Sequence, residues 1–286
     1  MDLQKQIEWA NTLRGSDEGK VYFAPKHKPN VKKSETTMPT RHGNVPVIVY
    51  EPNAKQEGKP NIFVNLHGGG FVAGNAQLDD CWCELLAEQV GCTIYNIEYS
   101  LAPEHKFPHA IEEIYDIALC LFEKANKIAI GGHSAGGNLA TAVCLYNIEE
   151  GEKIPFVYQF LDYPVLDLYT NADKKPKYKE AIPVDMANNF NICYLNDPTQ
   201  AKDPLASPVF AQNLGKMPQT LIITAELDSL AKEGYQYATR LMQAGVTVTY
   251  KEYKGMVHAF NYNGTDYDIA LDSWRLITKG LVCAFG

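Results

Sequence analysis

Short runs of β-branched and aromatic residues alternate along this chain with longer stretches in which apolar residues recur at helical spacing. The short runs predict eight strands, at residues 31–39, 45–50, 62–66, 93–97, 127–130, 156–161, 220–224 and 246–253. The longer stretches predict helices at residues 3–13, 79–89, 109–124, 135–147, 230–244 and 267–282. This alternation is typical of an α/β fold in which helices cover both faces of a mostly parallel sheet, and the first two strands resemble a hairpin.

Two segments fit the alternation poorly. Residues 1–30 hold one amphipathic helix followed by irregular polar sequence, and residues 166–217 interrupt the sheet pattern with lysines and repeated Asp-Pro and Ser-Pro steps. A structureless loop of that length is unusual in a compact domain. We therefore predict a core made of residues 31–165 and 218–286, with a small helical cap made of residues 1–30 and 166–217.

Charge and hydropathy argue against nucleic acids and membranes as binding partners. The chain of 286 residues carries 26 Lys and Arg against 34 Asp and Glu, a net charge of −8 at pH 7, which has the wrong sign for binding a phosphate backbone. It contains no apolar run of the roughly 20 residues that a membrane helix needs, and its first residues lack the apolar core of a signal peptide. We expect a cytoplasmic protein without nucleic acid or membrane partners. The sequence does not determine its oligomeric state, and a homo-oligomer is possible.

The seven cysteines are odd in number and scattered, which predicts reduced thiols rather than a disulfide framework. Cys81 and Cys83 flank Trp82 and invite interpretation as a metal site. Two residues at i and i+2 on a helix point to different faces, however, so the pair is poorly placed to share a ligand. We expect neither a metal nor a cofactor.

The clearest chemical motif is Gly132-His133-Ser134-Ala135-Gly136, which directly follows a predicted strand and opens a predicted helix. This strand, sharp turn and helix form the context of a nucleophile elbow. A serine on so tight a turn has strained backbone angles, and only very small residues two positions before and after it avoid clashes. The motif therefore predicts that Ser134 is a nucleophile displayed beside a helix N-terminus, where negative charge is favoured.

A second motif, Leu66-His67-Gly68-Gly69-Gly70-Phe71, follows an earlier predicted strand. Consecutive glycines leave backbone N–H groups free to face a reacting oxygen atom. We expect His67, which opens the loop, to brace it by hydrogen bonding rather than to take part in catalysis.

A serine hydroxyl needs a base, and the base needs an orienting acid. Of the seven histidines, only His258 lies C-terminal to Ser134, in a loop after the last predicted strand. His133 competes for this role because it adjoins the serine, but neighbours on a sharp elbow send their side chains in different directions, which favours packing or substrate contact for His133.

The orienting acid is chosen from carboxylates that follow predicted strands. Asp228 comes just after the strand at 220–224, from which it can reach the loop of His258. Asp162, just after the preceding strand, is the alternative, and Glu226 is a weaker one.

Together these motifs resemble the hormone-sensitive-lipase-like branch of the α/β-hydrolases, carboxylesterases with a His-Gly-Gly-Gly loop. The likeness runs from the His67 loop to the His258 loop and includes Tyr99-Ser100-Leu101-Ala102-Pro103-Glu104-His105-Lys106-Phe107-Pro108, Tyr163-Pro164-Val165-Leu166-Asp167 and Ser207-Pro208. The resemblance implies an α/β-hydrolase fold, a mostly parallel eight-stranded sheet. It also implies Ser134 as nucleophile, His258 as base and Asp228 as acid, with the N–H groups of Gly68, Gly69 and Ala135 as the oxyanion hole.

The chain departs from the family pattern at two positions, since His133 stands where the family most often has Asp and Ser100 where it most often has Arg. A histidine before the serine also occurs in kynurenine-formamidase-like hydrolases. The resemblance, together with the polar cap segment, implies an enzyme that hydrolyses small esters with short acyl chains, of about two to six carbons, through an acyl-enzyme. The alternatives are an aryl-formamide hydrolase and a non-catalytic ligand-binding member of the fold.

Overall fold

The computed structural model describes residues 1–14, 26–54, 58–262 and 266–286. Part of the irregular polar sequence predicted after the first helix, residues 15–25, lies outside the described residues. The strands are β1 (Val31–Thr40), β2 (Gly43–Pro52), β3 (Ile62–Leu66), β4 (Thr93–Ile97), β5 (Ile128–His133), β6 (Phe156–Asp162), β7 (Gln219–Ala225) and β8 (Val248–Tyr253). The α-helices are α1 (Leu3–Arg14), α2 (Asp80–Leu86), α3 (His109–Phe122), α4 (Ala135–Glu149), α5 (Val184–Tyr194), α6 (Ala231–Gln243) and α7 (Tyr267–Phe285).

All eight strands form one sheet in the order β1-β2-β4-β3-β5-β6-β7-β8. The hairpin β1–β2 and the pair β2–β4 are antiparallel, and every later pair is parallel. The carboxyl ends of β5 to β8 therefore lie side by side at one edge. Loops that leave this edge are where ligands bind in open α/β sheets, so the topology gathers the loops that carry the predicted site.

Helices cover both faces of the sheet, as the alternation along the chain predicts. Alternate residues of a strand point to opposite faces: Val64 belongs to the apolar cluster that includes residues of α3, α4 and α6, whereas Phe63 belongs to a second cluster that includes residues of α2 and α7. On the second face Trp82 and Trp274 stack with their ring centroids 4.0 Å apart. The predicted architecture, a mostly parallel eight-stranded sheet flanked by helices, is confirmed.

The main differences from the predicted elements occur at glycines. Strand β5 continues through Gly131, Gly132 and His133, beyond its predicted end at 130, because these residues pair with β6 up to the partners His133 and Asp162. Glycine carries little strand propensity, so the sequence pattern alone stops early. Helix α2 ends at Leu86 and widens into a π turn at Ala87–Gly91 instead of continuing as a regular α-helix to 89.

The segment at 166–217 contains α5 and four short 3₁₀ turns, Ala172–Lys174, Pro198–Lys202, Pro208–Phe210 and Leu214–Lys216. Its second half packs against the core: the Asn138 side chain of α4 donates a hydrogen bond to the carbonyl oxygen of Ala206. Its first half, up to Asn191, faces the carboxyl edge of the sheet. None of the helices in the described part of the chain combines the length and the apolar character needed to cross a membrane.

Candidate active site

Ser134 lies on the turn between β5 and α4 with backbone angles φ 52° and ψ −112°, a conformation that side chains rarely adopt. The glycines around it have a steric reason. A Cβ atom on Gly132 would lie 2.3 Å from the Leu66 carbonyl oxygen, and one on Gly136 would lie 2.1 Å from the same atom. Strand β3 therefore excludes any larger residue at both positions, which accounts for the predicted elbow.

Three polar side chains from separate loops form a hydrogen-bonded chain at this turn. The Ser134 hydroxyl donates to His258 Nε2, with Oγ and Nε2 3.0 Å apart. The His258 Nδ1–H donates to Asp228 Oδ2 over 2.6 Å. This arrangement has the geometry of a nucleophile, a base and an orienting acid.

The supporting contacts fix the orientation of the acid. Asp228 follows β7 and is 1% exposed, and its second oxygen, Oδ1, accepts the backbone N–H of Leu230 over 3.0 Å. His258 lies in the loop after β8, and its side chain is 14% exposed. Since the carboxylate is held by two donors, it has one orientation in which to receive the imidazole.

Opposing effects set the pKa of His258. Burial lowers it, because the charged imidazolium is poorly solvated there, but the negative charge of Asp228 and its hydrogen bond raise it, with smaller contributions from Asp162 and Glu233. The net result is a pKa above the ordinary value for histidine. The site therefore stabilises the protonated form of this side chain, which is the form a base reaches after taking a proton.

The glycine loop lies against the serine. A Cβ atom on Gly68 would lie 3.6 Å from the Ser134 Cβ, and one on Gly69 would lie 1.9 Å from the Ala73 carbonyl oxygen. Gly69 also has φ +129°, which side chains rarely tolerate. Within the described ranges, the backbone N–H groups of Gly68, Gly69 and Ala135 have no hydrogen-bond acceptor. Such N–H groups are suited to receive a developing oxyanion.

His67 contributes to the loop rather than to the hydrogen-bonded chain. It is fully buried, its Nδ1–H donates to the Gly68 carbonyl oxygen over 2.8 Å, and its ring stacks on Tyr99 at 4.2 Å. The Tyr99 hydroxyl donates in turn to the His67 carbonyl oxygen over 2.8 Å. This agrees with the bracing role expected from its position.

The competing candidates have other partners. His133 is buried beneath the turn, where its Nδ1–H donates to Asp162 Oδ2 over 3.0 Å and its ring packs among aromatic residues. Asp162 is thereby paired with His133 rather than with His258. Glu226 lies at the surface, where its carboxylate accepts bonds from the Lys254 ammonium and the Gly255 backbone N–H.

The sequence analysis did not identify Asn261, whose buried side-chain amide links Asp162 to Tyr163. The Asn261 Nδ2 group donates to Asp162 Oδ2 over 2.6 Å, and its Oδ1 accepts the Tyr163 hydroxyl over 2.8 Å. The Tyr163 ring packs edge-on against His258 with centroids 4.9 Å apart. The loop of the histidine is thus tied to the strands that flank the serine. No local pattern marks Asn261, because its partners are distant in sequence.

A cavity of about 610 Å³ opens onto Ser134 and His258. One wall is Phe190 of α5, whose ring lies so close to Gly70 that a Cβ atom there would be 2.4 Å from it. Trp9 of α1 supports this ring from behind, with ring centroids 5.4 Å apart. The lining is mostly apolar and is completed by the cap segment and the glycine loop. Its size suits a small organic ligand.

A buried ion pair anchors the cap segment to the core. The Lys175 ammonium donates to Glu233 of α6 over 2.7 Å and to the Asp167 carbonyl oxygen over 2.7 Å. The other Glu233 oxygen accepts the backbone N–H of Leu166 over 2.6 Å. The Lys175 and Glu233 side chains are only 12% and 6% exposed, so the contact is largely shielded from water.

Comparison with known proteins adds independent findings. A family model described as the α/β-hydrolase fold matches residues 63–262. The arylesterase of Saccharolobus solfataricus is 29% identical over 224 residues, or 76% of this chain and 72% of that protein. The ethyl acetate hydrolase of Pseudomonas putida is 28% identical over 259 residues, or 87% and 81%. A solved esterase from the archaeon Pyrobaculum calidifontis superimposes with a TM-score of 0.81 at 30% identity, covering 98% of this chain and 92% of its own.

Proposed function

The chain belongs to the hormone-sensitive-lipase-like carboxylesterase family of the α/β-hydrolases, and on that premise we propose that it hydrolyses short-chain carboxylic esters with Ser134, His258 and Asp228 as its triad. One observation carries the proposal: the three side chains form a continuous hydrogen-bonded chain, with 3.0 Å between Ser134 Oγ and His258 Nε2 and 2.6 Å between His258 Nδ1 and Asp228 Oδ2. The side chains of His133 and Asp162 are hydrogen-bonded to each other rather than to Ser134 or His258, which supports Asp228 and His258 over them.

In the first step His258 Nε2 takes the proton of Ser134 while the hydroxyl oxygen attacks the ester carbonyl carbon. The imidazolium that forms is stabilised by the Asp228 carboxylate. The carbonyl oxygen, now negatively charged, receives the N–H groups of Gly68, Gly69 and Ala135. His258 then gives its proton to the departing alcohol, and an acyl-enzyme remains.

In the second step a water molecule takes the place of the alcohol. His258 removes a proton from it as its oxygen attacks the acyl carbon, and the same N–H groups stabilise the second oxyanion. The acid leaves and Ser134 regains its proton. Both half-reactions use only protein groups and water.

The enclosed wall around Phe190 supports a short acyl group. Each buried methylene contributes about 0.8 kcal/mol, so preference rises with chain length until the cavity is full and then falls. The name of the Pseudomonas putida relative, ethyl acetate hydrolase, points to a two-carbon acyl substrate for that protein and supports the same size class here.

The test of the nucleophile is covalent labelling with a fluorophosphonate probe, followed by mass spectrometry of the labelled peptide. We expect the probe on Ser134 of the folded wild type. Ser134→Ala should lose both labelling and hydrolysis of p-nitrophenyl acetate, whereas Ser229→Ala, which changes a second serine of the cavity wall, should still be labelled. A labelled Ser134→Ala variant would refute the assignment, and an unlabelled wild type would favour a non-catalytic binding protein.

The test of the substrate is a series of p-nitrophenyl esters with acyl chains of about two to twelve carbons, run beside N-formylkynurenine. We expect kcat/KM to peak at short chains and the formamide to be a poor substrate. A steady rise to the longest chain indicates a lipase-like enzyme instead. Faster cleavage of N-formylkynurenine than of every ester indicates the formamidase alternative.

A further inference from the structure

Positive charge is concentrated on the cap side of the cavity. Lys175, Lys177 and Lys179 alternate over five residues of the cap segment, and all three line the cavity that opens onto Ser134. Among the described residues that line it, Asp79 is the one carboxylate. The whole chain carries a net charge of −8, so this wall has the opposite sign to the protein as a whole.

The three lysines are not equally available. The Lys175 ammonium is held by Glu233 and the Asp167 carbonyl oxygen. The Lys179 ammonium lies 3.4 Å from the carboxylate of Glu180, and both side chains are largely exposed. Lys177 has no carboxylate partner in the described part of the chain, so none of the carboxylates described there pairs with its ammonium.

The single acidic group of the wall does not cancel this charge by ion pairing. Asp79 is 1% exposed, and its two oxygens accept hydrogen bonds from the Tyr262 hydroxyl and the Asn65 side-chain amide. Both donors are neutral, and neither is a lysine. A cavity with low-dielectric walls and charge of one sign at its rim raises the local concentration of oppositely charged ligands.

We infer that this cavity selects esters that carry a carboxylate on their acyl or alcohol part, with the Lys177 ammonium as the cation that receives it. The substrate class is therefore the monoesters of short dicarboxylic acids and the esters of carboxyl-bearing alcohols or phenols. The inference rests on the proposed esterase function and narrows it. Lysine suits such a role, because its ammonium is a compact charge on a flexible stem that follows ligands of different length.

The expected preference follows from the Coulomb interaction of two unit charges. At a separation of about 6 Å and an effective dielectric constant between about 80 and 40, the anionic ester gains roughly threefold to tenfold in kcat/KM. The gain should shrink as salt is added, because the screening length falls from about 10 Å at 0.1 M to about 3 Å at 1 M ionic strength.

Two matched pairs of esters test the inference, with acid release followed by titration at constant pH. For the acyl side, monoethyl succinate is compared with ethyl 4-methylpentanoate, in which two methyl groups replace the carboxylate oxygens. For the alcohol side, 4-carboxyphenyl butyrate is compared with 4-isopropylphenyl butyrate. We expect the anionic member of at least one pair to have the higher kcat/KM and its advantage to fade with added sodium chloride.

Lys177→Gln removes the charge and should abolish most of the anionic preference. Lys174→Gln is the matched control, since Lys174 lies in the same segment, is paired with Asp173 and does not line the cavity; it should keep the wild-type ratio. Hydrolysis of the neutral esters without any anionic preference, or a preference that survives in Lys177→Gln, overturns the inference and leaves the esterase function standing. Failure to hydrolyse any of the four esters counts against the proposed function itself.

Discussion

Replacing the Asp228 carboxylate by the isosteric amide, Asp228→Asn, isolates the role of its negative charge. In the wild type one carboxylate oxygen accepts the His258 Nδ1 proton at 2.6 Å and the other accepts the Leu230 backbone N–H at 3.0 Å. Asparagine has one oxygen to offer, and the fixed Leu230 N–H requires it, so the side-chain NH₂ group faces Nδ1. The imidazole must then carry its proton on Nε2, the atom that has to accept the proton of Ser134.

The wrong tautomer removes general-base catalysis while the packing is preserved. The corresponding substitution in other triads lowers kcat by about 10⁴, and at 1.36 kcal/mol per factor of ten this is ~5 kcal/mol of lost transition-state stabilisation. Loss of the charge also removes the main effect that raises the pKa of His258, so that burial dominates. The residual activity should therefore reach its half-maximum at a lower pH than in the wild type.

The assay is kcat/KM for p-nitrophenyl butyrate from about pH 5 to pH 9, with circular dichroism to establish that the variant is folded. Asp162→Asn is the matched control, since it also removes a buried carboxylate near the site but one that faces His133. It should retain most activity. If Asp228→Asn keeps wild-type turnover, or if Asp162→Asn loses as much as Asp228→Asn, the reasoning about the orienting acid is refuted.

Three further outcomes are expected. Wild-type kcat/KM should decline as the pH falls and reach half its maximum above pH 6.5, because the raised pKa of His258 protonates the base there; a midpoint below the ordinary value, measured in the same pH series, contradicts this. Phe190→Ala should enlarge the cavity and lengthen the preferred acyl chain by about two methylenes, because their burial contributes ~1.6 kcal/mol to transition-state binding of the longer esters. An unchanged profile of kcat/KM against chain length would show that this wall does not limit the acyl chain. Glu233→Gln leaves Lys175 without its counter-charge and should destabilise the fold by about 3 kcal/mol, lowering Tm by roughly 6–12 °C in calorimetry. The control is Glu51→Gln, which removes the exposed ion pair with Lys32 and should change the free energy of unfolding by less than about 1 kcal/mol. Equal changes of Tm in the two variants would exclude a special role for the buried pair.

The elbow and the glycine loop could be predicted from sequence because their requirements are local. Ser134 has φ 52°, and a Cβ atom on either Gly132 or Gly136 would clash with Leu66. These local restrictions require small residues at a fixed spacing around the serine, and that spacing is visible in the sequence. The order of strands and helices was predictable for a related reason, since strand and helix periodicity are properties of short windows. The proposed base was reached by elimination, as His258 is the one histidine after Ser134.

The choice of acid could not be settled in the same way. Asp162 and Asp228 both follow strands whose carboxyl ends meet at one edge, and the sequence does not state which side chain faces the histidine. The sheet order favours Asp228: β6 adjoins β5, and the partners His133 and Asp162 stand side by side in the register. Asp162 is thereby taken up by His133. The roles of Asn261 and Tyr163 depend on contacts across about a hundred residues, which no short window contains.

The two departures from the family pattern are explained by the partners of buried carboxylates. Glu113 accepts the Ser100 backbone N–H at 2.9 Å and hydroxyl at 2.7 Å, and His109 Nε2 lies 3.2 Å from it, so its oxygens have partners without an arginine at position 100. At position 133 an aspartate would place a second negative charge against Asp162, which is 0% exposed. Like charges in such a setting repel strongly, whereas the imidazole donates a hydrogen bond. The histidine at position 133 therefore depends on the buried Asp162 beside it. The single substitution His133→Asp would leave Asp162 buried against a like charge.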